Sequence, residues 1–266
     1  MRLENRIAIV VGAGQSPGEG VGNGRATALT FAREGARVLC VDRNLGSAAE
    51  TAAMITSAGG TAAAFQADVT RDEDLQAMVA DAMTRWNRID ILHNNVGVSI
   101  AGGDAVLADL TVENFDRVVA INLRGTVMAC KHVMPVMRAQ KSGAIVNISS
   151  MAAWVDYPYV AYKATKAAMI AFTEQLAIQN APYGIRANVI LPGLMNTPMA
   201  VDTRARTFNK TRAQVEAERD AQVPLRGKMG TGWDVANAAL FLASDDAGVI
   251  TGVSLPVDGG SCVRVG

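Results

Sequence analysis

Short runs of β-branched residues alternate with longer amphipathic stretches along most of the chain. The short runs predict seven strands, at residues 7–11, 37–41, 62–66, 89–92, 143–149, 185–190 and 253–257. Helical periodicity fills the gaps, for example at residues 25–33, 72–85, 113–134, 159–180 and 233–242. Strands joined by crossover helices form a parallel sheet covered on both faces. The pattern therefore predicts an α/β fold, a doubly wound parallel sheet of about seven strands.

The composition fits one globular domain over residues 1–266. Half of the residues are apolar, and 25 Lys and Arg balance 25 Asp and Glu. These proportions exclude a disordered chain and give no electrostatic reason to expect nucleic acid or an anionic membrane as a partner. No run reaches the ~18 to 20 apolar residues of a membrane span. The three widely spaced cysteines favour free thiols in a reducing compartment, so we expect a cytoplasmic protein.

One segment departs from the alternation of strands and helices. Residues 192–228 are polar and carry mixed charges, and we expect a helix to interrupt the last crossover there. Insertions of this length often cover a binding site, so residues 194–228 are predicted to form a lid over the substrate. A solvated surface helix is the alternative.

A glycine-rich loop separates the first strand from the first helix. Six glycines lie within the thirteen residues from Gly12 to Gly24. Glycine lets the backbone approach a pyrophosphate closely, and the start of the following helix attracts the anion. The spacing Gly-x-x-x-Gly-x-Gly occurs twice, beginning at Gly14 and at Gly18. The strand favours Gly12 and Gly14 as contacts and the helix favours Gly22 and Gly24, so we expect a dinucleotide site with a lengthened loop.

Acidic residues follow the second and third strands. Asp42 comes eighteen residues after Gly24, where a carboxylate can accept the hydroxyls of an adenosine ribose and repel a 2′-phosphate. This favours NAD over NADP, although the neighbouring Arg43 could reach a phosphate. Asp68 and Val69 end the third strand at the same sheet edge, where they could border an adenine. Capping of the next helix is the alternative role of Asp68.

Two Tyr–Lys pairs with i, i+4 spacing lie on the helix predicted at residues 159–180. They are Tyr159 with Lys163 and Tyr162 with Lys166. This spacing puts a phenol and an ammonium on one helix face, where the lysine can lower the pKa of the phenol from ~10. A small residue precedes Lys166, whereas a bulky one precedes Lys163, and this difference favours the second pair. Tyr162 is therefore the predicted acid/base.

Two further polar positions are candidates for the same site. Asn122 interrupts the apolar stripe of the helix predicted at residues 113–134, where an amide would order a backbone segment or a water. Ser149 and Ser150 end a strand at the edge where ligands of parallel sheets collect. The alternation of side chains along that strand favours Ser150 as the residue that faces the site.

With these residues the chain resembles the classical short-chain dehydrogenase/reductases over essentially its whole length. The resemblance rests on the Gly12 to Gly24 loop, Asp42, Asp68-Val69, Asn94-Asn95-Val96-Gly97, Asn122, Ser149-Ser150, Tyr162 to Lys166, Pro192-Gly193 with Thr197, and Asp258-Gly259-Gly260. It implies a Rossmann-type fold and hydride exchange between a nicotinamide ring and a carbonyl or secondary alcohol. It also implies a homotetramer, with the helices predicted at residues 113–134 and 159–180 at its interfaces.

The resemblance implies a role for each matching residue. Tyr162 would be the general acid/base and Ser150 would hydrogen-bond the substrate oxygen. Lys166 would hold the nicotinamide ribose and depress the pKa of Tyr162, and Asn122 would hold a water that passes the proton to solvent. The predicted cofactor contacts are Gly12, Gly14, Gly22, Gly24, Asp42, Asp68, Val69, Asn95, Val96, Tyr162, Lys166, Gly193 and Thr197.

Three features depart from the family's pattern. The glycine loop is longer than usual and follows Val11 where Thr is common, and Val96 stands where Ala is usual. The interval from Ser150 to Tyr162 is one residue shorter than in most members, so counting back from the tyrosine would select Ser149.

The substrate is expected to lie among residues 98–108, 151–157 and 194–228. Trp154, Tyr157, Met195 and Met199 favour a hydrophobic secondary alcohol or ketone, and ordinary packing explains these side chains equally well. The two histidines have no carboxylate at ligand spacing, so no metal site is predicted. A catalytically silent dinucleotide-sensing protein is the alternative function. A sugar-nucleotide epimerase or dehydratase, which would need a larger substrate domain, is a third.

Overall fold

The computed structural model describes residues 1–264, in which nine strands and nine α-helices are found. The strands are β1 (Ile7–Val11), β2 (Arg37–Asp42), β3 (Thr61–Gln66), β4 (Ile91–Asn94), β5 (Gly143–Ile148), β6 (Ile185–Pro192), β7 (Met195–Asn196), β8 (Gly230–Thr231) and β9 (Ser254–Val257). The helices are α1 (Asn23–Arg33), α2 (Leu45–Ser57), α3 (Asp72–Trp86), α4 (Val112–Val119), α5 (Gly125–Gln140), α6 (Val160–Asn180), α7 (Asp202–Thr207), α8 (Arg212–Asp220) and α9 (Gly232–Ala243).

Seven strands form one parallel sheet in the order β3-β2-β1-β4-β5-β6-β9. The order changes direction between β1 and β4, and the helices that follow these strands lie on opposite faces. Open α/β sheets have their binding crevice at the carboxyl ends of the strands beside such a point. The predicted doubly wound, Rossmann-type fold is therefore confirmed.

The sheet separates two apolar layers. Along β1, Ala8 and Val10 belong to the layer that includes Phe31 of α1, while Ile9 and Val11 belong to the layer that includes Met78 of α3. Because successive side chains of a strand point to opposite faces, a strand covered on both sides is apolar throughout. All five residues of β1 are buried, as its continuous apolar run predicts.

The fourth strand lies two residues later than the predicted range 89–92, which is wrong at both ends. The side chain of Gln140 accepts from the N–H of Ile89 at 3.0 Å and donates to the Ile89 carbonyl at 2.7 Å. The backbone of Ile89 is therefore bound by a side chain instead of a neighbouring strand. At the other end β4 includes His93 and Asn94, which are polar but buried, so the hydropathy pattern ends the strand too early.

The helix predicted at residues 113–134 is divided into α4 and α5. Between them lies a wider, π-type turn at Ala120–Arg124 that contains Asn122. Wide turns of this kind inside helices are frequent at functional sites. The predicted helix stops at residue 134, before Pro135, whereas α5 continues through this proline to Gln140.

The segment after β6 contains two short helices, α7 and α8, where one helix is predicted. The short parallel pair β7 and β8 lies at its two ends. It has its own small apolar cluster, formed by Val201, Val215, Val223 and Met229. Residues 194–228 therefore form a packed substructure beyond the carboxyl end of β6.

Candidate active site

The carboxyl ends of four neighbouring strands bring most of the predicted site residues to one edge of the sheet. Gly12 follows β1, Asp42 ends β2, Asn95 follows β4, and Ser150 comes two residues after β5. Asn95 Nδ2 donates to the Gly12 carbonyl at 3.2 Å, which joins the loop after β4 to the glycine loop. The crevice beside the point where the strand order reverses is thus lined by residues from all four strands.

Lys166 is fixed between α6 and the end of β5. Its side chain is almost fully buried, with 2% of its surface exposed. Nζ donates to the Ile148 carbonyl at 2.7 Å and lies 5.6 Å from the centre of the Tyr162 ring. The ammonium therefore lies over the ring of Tyr162, one helical turn away in α6, and at the carboxyl end of β5.

Desolvation dominates the acid–base properties of this pair. Burial lowers the pKa of Lys166 to about 8 and raises the pKa of Tyr162 to about 12. A hydrogen bond with the Ser150 side chain, and the charges of Arg204 and Arg219, act to lower the pKa of Tyr162. Burial outweighs them, so in the protein alone Tyr162 is a neutral phenol at physiological pH. The expected lowering of its pKa by Lys166 is not seen here.

The second Tyr–Lys pair has a different position. Lys163 Nζ donates to the carbonyls of Ala152 at 3.0 Å and Val155 at 2.5 Å, in the turn that follows β5. Tyr159 is the residue that precedes the first turn of α6. The Lys163 ammonium is thus held by two carbonyls of the turn, whereas Lys166 Nζ donates to one carbonyl and also lies over the ring of Tyr162. This difference favours Tyr162 and Lys166 as the reactive pair.

The two neighbouring serines are separated by their hydrogen bonds. Ser149 is buried, and its hydroxyl donates to the Lys166 carbonyl at 2.6 Å, which ties β5 to α6. Ser150 Oγ accepts from Ala152 N at 3.1 Å and also lies beside the phenol of Tyr162. Ser150 is therefore the serine that lies beside Tyr162. The alternation of side chains along the strand favours this serine, whereas the family's usual interval before the tyrosine would select Ser149.

Asn122 orders a backbone segment from its position in the wide turn. Its Oδ1 accepts from Val98 N at 2.8 Å, and its Nδ2 donates to the Val98 carbonyl at 2.8 Å and to Thr165 Oγ1 at 3.2 Å. The amide is fully buried and all these partners are protein groups. Asn122 thus connects the loop after β4 to α6, one of the two roles expected for an amide at this position.

Two glycines let the glycine loop pack closely against the start of α1 and the loop after β4. Gly12 has a φ of +85°, which favours glycine, and a Cβ there would lie 3.0 Å from Val96 Cγ2. A Cβ on Gly24 would lie 1.9 Å from the Gly12 carbonyl oxygen. In the described chain no side chain caps the start of α1 at Gly22, and its first turn has no acidic residue. The loop and the helix N-terminus therefore fit a pyrophosphate.

The added residues of the glycine loop are braced and touch the segment after β6. Gln15 Nε2 donates to the Gly20 carbonyl at 3.3 Å, and its Oε1 accepts from Gly22 N at 3.1 Å. Glu19 Oε2 lies 3.6 Å from Arg212 Nε on α8. The lengthened loop thus connects the phosphate end of the crevice to residues 194–228.

Asp42 lies where an adenosine ribose would be recognised. Its carboxylate accepts from Gly14 N at 3.1 Å and from Asn44 N at 2.9 Å. Of the two nearby arginines, Arg25 is buried and paired with Glu50 at 2.6 Å, whereas Arg43 is exposed. The negative charge at the end of β2 therefore has backbone donors as its nearest partners.

Asp68 forms a local turn and does not cap α3. Its Oδ1 accepts from the N–H of Thr70 at 2.8 Å and from the Thr70 hydroxyl at 2.7 Å, whereas the residue before the first turn of α3 is Arg71. Burial acts to raise the pKa of Asp68, but these bonds and the charges of Arg43 and Arg71 lower it below its usual value. The carboxylate is thus ionised beside half-buried Val69, which packs against the apolar layer of α3.

Gly193 and Thr197 lie where β6 leads into the segment at 194–228. Gly193 N donates to the Val257 carbonyl at 2.9 Å, and a Cβ on Gly193 would lie 2.6 Å from Asp258 Cα. Thr197 is buried, and its Oγ1 accepts from Ala200 N at 3.3 Å. Close backbone packing is therefore sufficient to explain a glycine at position 193.

Asp104 is a residue of the site that sequence reasoning missed. Its Oδ1 accepts from Ala161 N at 2.9 Å and its Oδ2 accepts from Tyr162 N at 2.8 Å, so it caps α6 from the loop after β4. It is only 6% exposed. A signal was present, because Tyr159 cannot cap the helix and the first N–H groups of α6 need an acceptor from elsewhere.

His93 is buried beside Phe31, and both of its ring nitrogens lack hydrogen-bond partners in the described chain. Burial lowers its pKa to about 3, so it is neutral.

Across residues 1–264, no cluster of three or more His, Cys, Asp or Glu is arranged to hold a metal ion. In the same residues, no helix is both long enough and apolar enough to cross a membrane.

Comparisons with known proteins agree with this geometry. Residues 19–262 match the model of a family described as enoyl-(acyl carrier protein) reductase. The 2-(R)-hydroxypropyl-CoM dehydrogenase of Xanthobacter autotrophicus is 35% identical over 257 residues, which cover 96% of this chain and 98% of that protein.

Solved structures agree over the full length. One from Burkholderia xenovorans, described as a short-chain dehydrogenase/reductase, has a TM-score of 0.89 at 41% identity, covering 100% of this chain and 99% of that one. Levodione reductase has a TM-score of 0.92 at 30% identity, covering 99% of this chain and 100% of that one. The chain belongs to the classical short-chain dehydrogenase/reductase family of oxidoreductases.

Proposed function

We propose that the protein is an NAD-dependent dehydrogenase/reductase that interconverts a secondary alcohol and a ketone, with Tyr162 as general acid/base. The observation that carries the proposal is the position of Lys166, whose Nζ is bound to the Ile148 carbonyl and lies 5.6 Å from the Tyr162 ring. A buried lysine without a carboxylate partner is unusual in a protein core and frequent in a reactive site.

The chain's own groups account for the movement of the proton. In ketone reduction the neutral phenol of Tyr162 gives its proton to the substrate oxygen, and in alcohol oxidation the phenolate takes it. Ser150 Oγ accepts from Ala152 N, and its hydroxyl is hydrogen-bonded with Tyr162 in the protein alone. We propose that the substrate oxygen binds between these two hydroxyl groups and accepts from both. Asn122 orders the Val98 backbone and Thr165, and we propose that it also holds the water that passes the proton to solvent.

A bound nicotinamide nucleotide would accept or donate the hydride, and its oxidised form would add a positive charge beside the phenol. Gly12, Gly14, Gly22 and Gly24 would hold the pyrophosphate, and Asp42 would hold the adenosine ribose. The remaining proposed contacts are Asp68 and Val69 at the adenine, and Asn95, Val96, Tyr162, Lys166, Gly193 and Thr197 toward the nicotinamide.

The preference for NAD rests on the charge at the end of β2. A 2′-phosphate beside Asp42 would meet a carboxylate, whereas buried Arg25 is already paired with Glu50. We expect tighter binding of NADH than of NADPH when the two are titrated by nicotinamide fluorescence. Tighter binding of NADPH would contradict this role of Asp42 and would indicate that Arg43 takes the phosphate.

Exposed apolar side chains in the segments expected to contact the substrate support a substrate with an apolar body. Trp154, in the turn after β5, and Met199, which follows β7, are both about half exposed to solvent. Met195 is not proposed as a substrate contact, because it is only 4% exposed and packs in the hydrophobic core. We further propose that residues 194–228 close over this substrate as a lid.

A pair of tyrosine variants tests the proposal. Tyr162→Phe removes the phenolic proton, so alcohol and ketone turnover should fall at least ~100-fold while NADH affinity changes little. Tyr159→Phe is the matched control and should keep most of the activity. Turnover is followed by nicotinamide absorbance with a panel of secondary alcohols and ketones. Wild-type protein that binds NADH but turns over none of the panel would favour the nucleotide-sensing alternative, and an active Tyr162 variant would contradict the assignment.

The proposed assembly is a homotetramer in the cytoplasm. Exposed apolar side chains on α4 and α6, such as Val112 and Ile178, support burial of these helices against other copies. The three cysteines are free thiols, which suits a reducing compartment. Light scattering of the purified protein measures the number of copies, and a monomeric mass would contradict the tetramer.

A further inference from the structure

Two arginines of the segment after β6 have no charged partner that would explain their burial. Arg219 lies on the inward face of α8 with Val215 and is 9% exposed, and Arg204 on α7 is half-buried. Arg219 Nε contacts Met229 Sδ at 3.3 Å, and Arg204 Nη1 donates to the Ala200 carbonyl at 3.0 Å. Within residues 1–264 neither guanidinium forms an ion pair. Arginine is rarely buried unless it is paired with an anion.

The same segment has carboxylates, but they are engaged elsewhere. Arg212 forms ion pairs with Asp202, with Glu216 at 3.1 Å and with Glu19 at 3.6 Å. Asp220, next to Arg219 in sequence, accepts from Met229 N at 2.8 Å. Arg204 and Arg219 therefore remain without an anion while their neighbour Arg212 has three.

The charges of both arginines reach the proposed acid/base. The rings of Tyr157 and Tyr162 lie 5.4 Å apart, and the charges of Arg204 and Arg219 act on the phenol of Tyr162. Burial, and then the charge of Arg204, lower the pKa of Arg219 to about 10. The charge of Asp104 acts on Tyr157, and both oxygens of this carboxylate accept from backbone N–H groups. Asp220 is the acidic group whose charge acts on Arg219, and it too accepts from a backbone N–H group, that of Met229. Both carboxylates are thus held by the backbone, and neither forms an ion pair with the two arginines.

We propose that Arg204 and Arg219 bind an anionic group of the substrate, so that the substrate is a secondary alcohol or ketone that also carries a carboxylate, sulfonate or phosphate. This inference rests on the proposed function, which concerns the alcohol or ketone group of the substrate. It adds that the protein recognises a second, anionic group of the same substrate. Guanidinium groups bind such oxyanions through paired, charge-assisted hydrogen bonds. The exposed apolar side chains of Trp154 and Met199 would contact the carbon chain between the two ends.

The experiment compares anionic ketones with neutral ones of similar size by calorimetry. The pairs are acetoacetate with methyl acetoacetate, oxopropanesulfonate with acetone, and hydroxyacetone phosphate with hydroxyacetone. Each is titrated into the protein alone and into its complex with NADH. At least one anion should bind about tenfold or more tightly than its neutral counterpart, the usual strength of a charge-assisted hydrogen bond. If no anion is preferred, the proposal is overturned.

Arginine variants identify the residues responsible for such a preference. Arg219→Met and Arg204→Met should each weaken binding of the preferred anion about tenfold or more and leave the neutral ketones unchanged. Arg206→Met is the control, because Arg206 is an exposed residue of the same helix α7. Arg219→Lys keeps the charge and should retain part of the preference. Equal anion binding by wild type and both Met variants would overturn the assignment.

The design separates this inference from the proposed function. If nicotinamide nucleotides do not bind, the proposed function fails, but anion binding to the protein alone still tests the two arginines. The comparison of anionic with neutral ketones in wild-type protein does not depend on the folding of a variant. If Arg219→Met weakens NADH binding and leaves anionic ketones unaffected, the arginines hold the nucleotide and the inference is overturned.

Discussion

The first turn of α6 depends on a carboxylate that comes from a distant loop, and this gives a quantitative prediction. Asp104 accepts from two backbone N–H groups of α6, those of Ala161 and Tyr162. In Asp104→Asn only one oxygen remains for the two donors, and the negative charge at the helix N-terminus is lost. A hydrogen bond to a charged group contributes about 1.5 to 3 kcal/mol, so the free energy of unfolding should fall by about 2 kcal/mol.

The same substitution should also lower activity, because one of the two N–H groups belongs to Tyr162 itself. Loss of its acceptor loosens the backbone that carries the phenol. A misplacement of about 1 Å is enough to lower turnover by about 100-fold, so we expect kcat to fall about 10- to 100-fold. NADH affinity should change little, because the proposed adenosine and pyrophosphate contacts lie in the glycine loop, at the start of α1 and after β2 and β3.

The measurements are the thermal midpoint, kcat and NADH affinity of Asp104→Asn. For a chain of this length, 2 kcal/mol corresponds to a decrease of about 4 to 8 °C in the midpoint. Asp109→Asn is the control, since Asp109 is an exposed residue of the same loop. A thermal midpoint and kcat equal to those of wild type would refute the cap as described. Equal losses in the Asp109 variant would mean that the effect is not specific to the cap.

Two further predictions concern the core and the glycine loop. Burial lowers the pKa of His93 to about 3 in the folded protein, against an ordinary value of about 6.5 in the unfolded chain. The free energy of unfolding should therefore be highest above pH ~6.5 and should fall by ~1.4 kcal/mol per pH unit as the pH decreases from there toward 3. Urea unfolding at pH 7 and pH 4 should therefore show a smaller acid-induced loss in His93→Leu than in wild type or in His132→Gln, and equal losses would contradict it. In Gly24→Ala the new methyl group must displace the Gly12 carbonyl, so NADH fluorescence titration should show affinity about ten- to hundred-fold weaker. Unchanged affinity would argue against a phosphate site at the start of α1, and Gly248→Ala, far along the chain, is the control.

The local pattern of apolar residues is sufficient to predict the strands of the sheet, but not where each strand begins and ends. The run at β1 is apolar throughout because both faces are covered, and that feature can be seen in five consecutive residues. The start of β4 cannot be seen in this way. Its position depends on Gln140, which lies 51 residues after Ile89 and binds its backbone through a side chain.

The site shows the same division between local and distant contacts. The spacing of Tyr162 and Lys166 lies within two turns of one helix, and strand alternation distinguishes Ser150 from its neighbour. The cap supplied by Asp104 is 57 residues from Ala161, and no periodicity connects the two positions. The burial of Arg219 without an ion pair likewise becomes evident only when α8 is packed in place.

The contact of Glu19 with Arg212 changes how the length of the glycine loop should be understood. The extra residues serve as an anchor for the segment after β6, and they do not merely lengthen the turn around a phosphate. A chimera with a loop of the length common in the family would therefore lose this contact with the segment after β6, and we expect substrate selectivity to change along with nucleotide affinity. The glycine loop and the segment after β6 should therefore be redesigned together.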